Sequence, residues 1–294
     1  MAIVKKRNRE EEIAKQHEEM LYTSVRVRAG KSGGSGTVLF SQEVKDDEAE
    51  TYVLTNHHVV NDLIEVEEDW DSLLGRPIKK EKRATAKVEI FKYNHLSRNV
   101  GQTGLDADIV AYDAEKDLAL LKLRDIFARD FVASFFNPGN VKELHIFDDI
   151  IAVGAQLGVP PIATRGQIVY MDAEIDNERF NMGTYNSIYG SSGGAVFRYS
   201  PERDLFEFVG VPARVTVMGS MFAVDTITHM SYFIPIESIV EFLKDWCYDF
   251  IYDETKTVEE CHKKREKKRA DARKNLERMY GVVSPGSDSS DEEL

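Results

Sequence analysis

Cysteine is nearly absent from this chain: only Cys247 and Cys261 occur among 294 residues. A protein of this size matured in an oxidising compartment would often carry more, and paired, so the count fits a reducing one. No apolar run approaches the roughly 20 residues needed to cross a bilayer. The opening stretch, MAIVKKRNREEEIAKQHEEM, has no apolar middle of the kind a secretory leader requires. These gaps predict a cytoplasmic protein without a membrane partner. Positive charge is also in deficit, with 38 Lys and Arg against 51 Asp and Glu and a net charge of -13. That balance favours solubility and disfavours nucleic acid as a partner of the body of the protein.

The charge is unevenly placed. Residues 263–278, KKREKKRADARKNLER, are basic, and the last eight, SDSSDEEL, are acidic. The basic stretch lacks interleaved aromatics for base stacking and reads as a solvated helix with Glu–Lys and Glu–Arg pairs. Residues 281–294 read as a disordered acidic tail.

What is present is mostly strand pattern. SVRVRAG alternates apolar and polar residues, the period of a strand with one covered face. Further candidates follow at SGTVLF, ETYVLTN, TAKVEIFKY, DADIVAYD, LALLKL, DIIAVGAQ, GQIVYMD, GGAVFRY, LFEFVGVPA and MSYFIPI, separated by Gly, Pro and Asp turns. Many short strands in series predict an antiparallel barrel or sandwich. Residues 61–83 break the rhythm and read as a long surface insertion. Four segments are expected: a charged helix over 1–22, a β-rich body over 23–251 closed by a helix at 237–251, a charged helix over 252–280, and the tail. Ile239, Val240, Leu243, Trp246, Cys247, Phe250 and Ile251 recur at helical spacing and should face the body. Cys261, within the charged helix, has no expected role.

The stretch IYGSSGGAVF raises the question of chemistry. A serine hydroxyl is a weak nucleophile at neutral pH; it needs a base within hydrogen-bond reach and an acid to orient that base. His57 and His58 follow a strand in YVLTNHHVV. Asp117 stands at the threshold of the apolar LALLKL, with Asp106, Asp108 and Asp113 as rivals on spacing alone.

The ordered set SGTVLF, YVLTNHHVV, YDAEKDLALLKL, AVGAQLGVP, TRGQIVY, GSSGGAVF and FIPI resembles the chymotrypsin-fold serine proteases, in particular the HtrA branch. The resemblance covers about residues 23–243. It implies a mainly β fold of two six-stranded antiparallel barrels with added terminal helices. It implies His58 as base, since that histidine precedes Val-Val, Asp117 as the orienting acid, and Ser192 as nucleophile. The amides of Gly190 and Ser192 would be the oxyanion donors. Asn186 would form the floor of the primary pocket. Ala213, Arg214 and Val215 would pair with an extended substrate. An uncharged floor argues against a strict preference for Lys or Arg.

Departures from the family pattern carry their own expectations. Ser191 stands where Asn or Asp is usual, so activation by insertion of a cut N-terminus is not expected. Ala195 replaces a common proline. No peptide-binding PDZ module is expected after the protease domain. The reading is a serine endopeptidase with no metal or cofactor, acting on protein or peptide substrates, itself included, with a homo-oligomer through the terminal helices as a further expectation. A bacterial, phage or viral processing enzyme would each fit. The second reading is a protease fold used as a binding or scaffold module.

Overall fold

The computed structural model describes residues 8–44, 48–71, 76–137, 139, 143–219 and 224–280. The start of the expected N-terminal helix and the whole acidic tail lie outside them. In chain order the strands are β1 Ser24–Ala29, β2 Ser32–Val44, β3 Glu48–Thr55, β4 Ile64–Asp71, β5 Arg76–Arg83, β6 Ala86–Asn94, β7 Arg98–Asp113 and β8 Leu118–Leu123. Then come β9 Ser134–Phe135, β10 Asp149–Gly154, β11 Ile162–Ile175, β12 Glu178–Gly183, β13 Ala195–Ser200, β14 Leu205–Gly219 and β15 Val224–Pro235. The helices are α1 Arg9–Gln16, α2 His57–Val60, α3 Ile236–Asp245 and α4 Val258–Tyr280.

The first barrel closes in the order β1-β2-β3-β8-β7-β6. In the second half the sheet runs β13-β10-β11-β12-β15-β14-β9. Strand β14 pairs with β13 as well as with β15, so six of these strands also close on themselves. Closure leaves few open edges for unwanted pairing. This is the two-barrel chymotrypsin-like architecture expected of the sequence.

The run LALLKL shows how the halves meet. Ala119, Leu121 and Leu123 point into the first barrel, where Val25, Val27, Val53 and Val88 are buried. Leu118 and Leu120 point the other way, into a cluster with Phe197, Phe208, Phe233 and Phe242 of the second half and α3. A strand with both faces buried needs a nearly continuous apolar sequence, because period-two alternation would place polar groups in one of the two cores.

Within 61–83, expected as an insertion, Asn61–Leu63 form a short 3-10 turn, and β4 and β5 pair as an antiparallel hairpin. That hairpin is a separate two-stranded sheet. Its strands are acidic and basic respectively, with Glu67 bonded to Lys82 at 2.5 Å. The closing helix is shorter than the sequence pattern implied. It ends at Asp245, and Cys247 takes a left-handed turn at φ 58, which aims Tyr248, Phe250 and Ile251 back into the core.

Helix α4 packs on the body, whereas its charge suggested a solvated helix. Cys261 is buried in the main core, and Arg265 lies 4.0 Å above the Tyr248 ring while donating to the Cys247 carbonyl at 2.6 Å. Lys268 donates to the Asp245 carbonyl at 2.7 Å. These cations satisfy carbonyls at the end of α3, where the helix dipole is negative. Among the described residues no helix is long and apolar enough to cross a membrane.

Candidate active site

The site is built where β3, the β7–β8 turn and the Gly-rich loop before β13 converge. Strand β3 ends at Thr55, and the chain turns at once into the single helical turn α2. Val59 and Val60 of that turn are buried under the first barrel, which fixes the direction of His58. The β7–β8 turn is shaped by Asp113, whose Oδ1 accepts from the backbone amides of Glu115 and Lys116, both at 2.9 Å. The turn delivers Asp117 in a left-handed conformation, φ 54, a region that Asp tolerates better than most residues.

Asp117 and His58 meet at two points. Oδ2 of Asp117 accepts from Nδ1 of His58 at 2.8 Å, and Oδ1 accepts from the His58 backbone amide at 2.9 Å. A carboxylate only accepts, so in the neutral ring Nδ1 carries the proton and Nε2 keeps its lone pair. Exposure divides the roles: the imidazole is 46% exposed and the carboxylate 14%. The ring is open to a reactant and its partner is not.

The neighbouring His57 faces elsewhere. Its ring stacks on Tyr112, with centroids 5.2 Å apart and planes at 22°. Burial holds the His57 imidazole below its ordinary range, only partly opposed by the Asp117 charge. The Tyr112 hydroxyl donates to Glu81 at 2.6 Å, and the Arg83 guanidinium sits 5.0 Å from the Tyr112 ring centre. The base of the hairpin is thus attached beside the helix that carries His58. The rival acids are engaged in other contacts: Asp108 pairs with Arg124 at 2.6 and 3.0 Å, and Asp106 lies 3.5 Å from Lys87.

Ser192 shares a cavity of about 470 Å³ with His58. Gly190, Ser191, Ala213, Arg214 and Val215 line it too. The loop is rigid. Gly190 and Gly193 adopt φ 92 and 83, where side chains are strained. A Cβ on Gly193 would stand 2.2 Å from the Ser35 carbonyl oxygen, and one on Gly190 would stand 2.9 Å from that of Ala155. The Tyr189 carbonyl accepts from the Leu157 amide at 2.8 Å. A trans peptide points its two polar groups in opposite directions, so the Gly190 N–H is turned away from Leu157.

Ser35 of β2 ties this loop to the first barrel. Its amide donates to the Ser192 carbonyl at 2.8 Å. Its hydroxyl donates to the Gly190 carbonyl at 2.6 Å and accepts from the Ala155 amide at 2.7 Å. Asn56 performs a similar service for the acid, donating from Nδ2 to the Asp117 carbonyl at 2.7 Å. Neither residue was singled out from sequence. Asn56 lies inside the TNHHVV motif and Ser35 opens the SGTVLF motif, but neither bears a group whose chemistry would mark it.

Asn186 does not line the cavity. Its side chain is exposed, and its carbonyl accepts from Thr164 Oγ1 at 3.0 Å and Gln156 Nε2 at 3.3 Å. Ser187, Ile188 and Thr228 occupy the lining instead. The Ser187 hydroxyl lies 2.5 Å from that of Ser191, which in turn donates to the Ile188 carbonyl at 2.7 Å. Arg214 is paired with Asp176 at 2.7 Å and lies over the Phe180 ring at 5.0 Å.

Two closed barrels meeting at such a cleft define a chymotrypsin-like fold. Residues 34–203 match the trypsin-like peptidase domain, more than half of the chain, and the protein belongs to that family. Similar solved structures include the serine endoprotease from Yersinia pestis, with 18% identity and a TM-score of 0.53 over 82% of this chain and 67% of that one. The HtrA-type protease AlgW with a tripeptide is similar at 18% identity and a TM-score of 0.54, covering 79% of this chain and 62% of that one. At that identity the likeness is one of fold. No curated protein matches the sequence.

Proposed function

We propose that this protein is a serine endopeptidase that cleaves peptide bonds through an acyl-enzyme. The observation that carries the reading is the two-point grip of Asp117 on His58, at 2.8 and 2.9 Å, in a cavity that also holds Ser192. Ser192 Oγ attacks the substrate carbonyl while Nε2 of His58 takes its proton. Asp117 stabilises the imidazolium that results, and the same proton then passes to the leaving amine. Water attacks the acyl-enzyme by the same route in reverse, and no metal or cofactor takes part.

The orientation of the Gly190 amide, fixed by the Tyr189 carbonyl bond to Leu157, supports Gly190 and Ser192 as donors to the oxyanion. Ala213, Arg214 and Val215 present the edge along which an extended peptide would pair, and they line the same cavity.

A fluorophosphonate probe tests this directly. Labelling of the wild type and its loss in Ser192→Ala is the expected result. Absence of labelling under conditions where the protein is folded would favour a binding module built on the same fold.

A further inference from the structure

A second cavity, of about 270 Å³, adjoins the first. The two share Ser32, Gly33 and Gly190, but none of Ala213, Arg214 or Val215 borders the second. If the edge at Ala213 receives the acyl half of a peptide, the second cavity lies across the reacting centre and receives the leaving half. This step rests on the peptidase reading above.

Its wall is cationic. Arg26 and Arg28 lie on one face of β1, opposite Ser35 and Gly33 of β2, and Lys31 sits in the turn between the two strands. Arg26 is fixed: its side chain is 12% exposed, ion-paired to Glu89, bonded to the Gly158 carbonyl, and 3.1 Å from Gln102 Oε1. Arg28 is 56% exposed and reaches the same Glu89 carboxylate at 3.2 Å. Among the described residues no carboxylate lines the cavity. The nearby acids are Glu89, whose side chain is 8% exposed and which serves both arginines, and Asp62, which accepts from Ser32 Oγ at 2.7 Å. Three cations against these two acids leave a positive pocket in a chain whose net charge is -13.

We propose that this cavity is a leaving-group subsite that selects Asp or Glu in the first two positions after the scissile bond. Arg28 and Lys31 read the charge, and Arg26 forms the fixed wall behind them. An acidic side chain there gains two solvent-facing ion pairs, which bears on the rate by about fivefold. The effect is screened by salt, since the Debye length falls to a few ångströms towards 1 M.

The test uses quenched-fluorescent peptides on a cleavage sequence taken from a library digest. They are identical except for Glu-Glu, Ala-Ala or Lys-Lys directly after the scissile bond. Expected is a kcat/KM order of Glu over Ala over Lys, with Glu over Ala about fivefold at low salt and near one at high salt. Arg28→Glu combined with Lys31→Glu inverts the order. Equal rates for the three peptides, or an order untouched by charge reversal, overturns the subsite while leaving the peptidase in place. Binding of the same peptides to Ser192→Ala by fluorescence anisotropy separates the two claims. Tighter binding of the acidic peptide to this variant upholds the subsite, and absence of cleavage by the wild type refutes the peptidase alone; binding indifferent to charge refutes the subsite.

Discussion

Asp117 holds His58 by both its ring and its backbone, with one carboxylate oxygen on each. The second contact matters because it fixes the helical turn as well as the imidazole. An amide at position 117 has one acceptor and one donor, so it satisfies one of these contacts and opposes the other. Asp117→Asn should therefore lower kcat/KM by about 10⁴-fold with the fold intact. Peptide hydrolysis beside circular dichroism checks both halves of that statement.

Gly190 and Gly193 predict different failures. At Gly190 an added methyl meets the Ala155 oxygen at 2.9 Å and the Leu157 nitrogen at 3.1 Å, and the peptide must turn to relieve it. Gly190→Ala should cost about 10²- to 10³-fold in kcat with a smaller change in KM, as loss of one oxyanion donor does. At Gly193 the same methyl meets backbone at 2.2 Å and the Thr55 hydroxyl at 2.3 Å. Gly193→Ala should lower the thermal midpoint sharply, since the barrels themselves must separate to admit it. A melting curve on each variant distinguishes local from global damage.

Tyr112 links the hairpin to the His57–His58 turn. Tyr112→Phe removes the bond to Glu81 but keeps the stack on His57, so stability should fall by about 1 kcal/mol with kcat little changed. Tyr112→Ala removes both and should lower kcat more than Tyr112→Phe does. Hydrogen exchange in β4 and β5 should rise in both variants, while the amide of residue 58 should lose protection only in Tyr112→Ala.

Two histidines make the fold acid-sensitive. Burial holds His57 below its ordinary 6.5. Burial does the same to His262, with Arg265 adding to it and Lys122 too, while Glu50, 3.5 Å away, and Glu266 oppose it. The unfolded chain then binds more protons than the folded one below 6.5, so stability is complete above that pH and is lost as pH falls towards the folded values. Glu50 continues the trend further down. Its burial raises its pKa, but hydrogen bonds from Lys122 and Tyr52 outweigh this and bring it below the ordinary 4.5. The thermal midpoint should fall between about pH 7.5 and pH 5, and His262→Gln should flatten part of that slope. A midpoint independent of pH over this range would contradict it.

Much of the fold could be read from the chain because its barrels depend on short-range patterns. Apolar alternation and Gly, Pro and Asp turns mark most strands directly. Strand β12, ERFNMG, escaped because its buried residues include Asn181, whose side-chain oxygen accepts from the Asp172 amide at an irregularity in the pairing of β11. The β4–β5 hairpin escaped because its stability comes from cross-strand charge pairs rather than a covered apolar face. At the site, the residues with reactive groups stood out by type and order. Ser35, Asn56 and Thr228 did not, since what they contribute is a direction in space that depends on strands far away in sequence.

Ser35 carries one more implication. It comes from the early part of the chain, yet its amide and hydroxyl are committed to the carbonyls of Ser192 and Gly190, more than 150 residues later. On the proposed peptidase reading, the half synthesised first carries the base and the acid, and the half synthesised last carries the hydroxyl. A nascent chain would then hold an incomplete apparatus and be inert toward its own unfolded segments. Competence would arrive only when the later half folds against the earlier one, making the order of synthesis itself a safeguard.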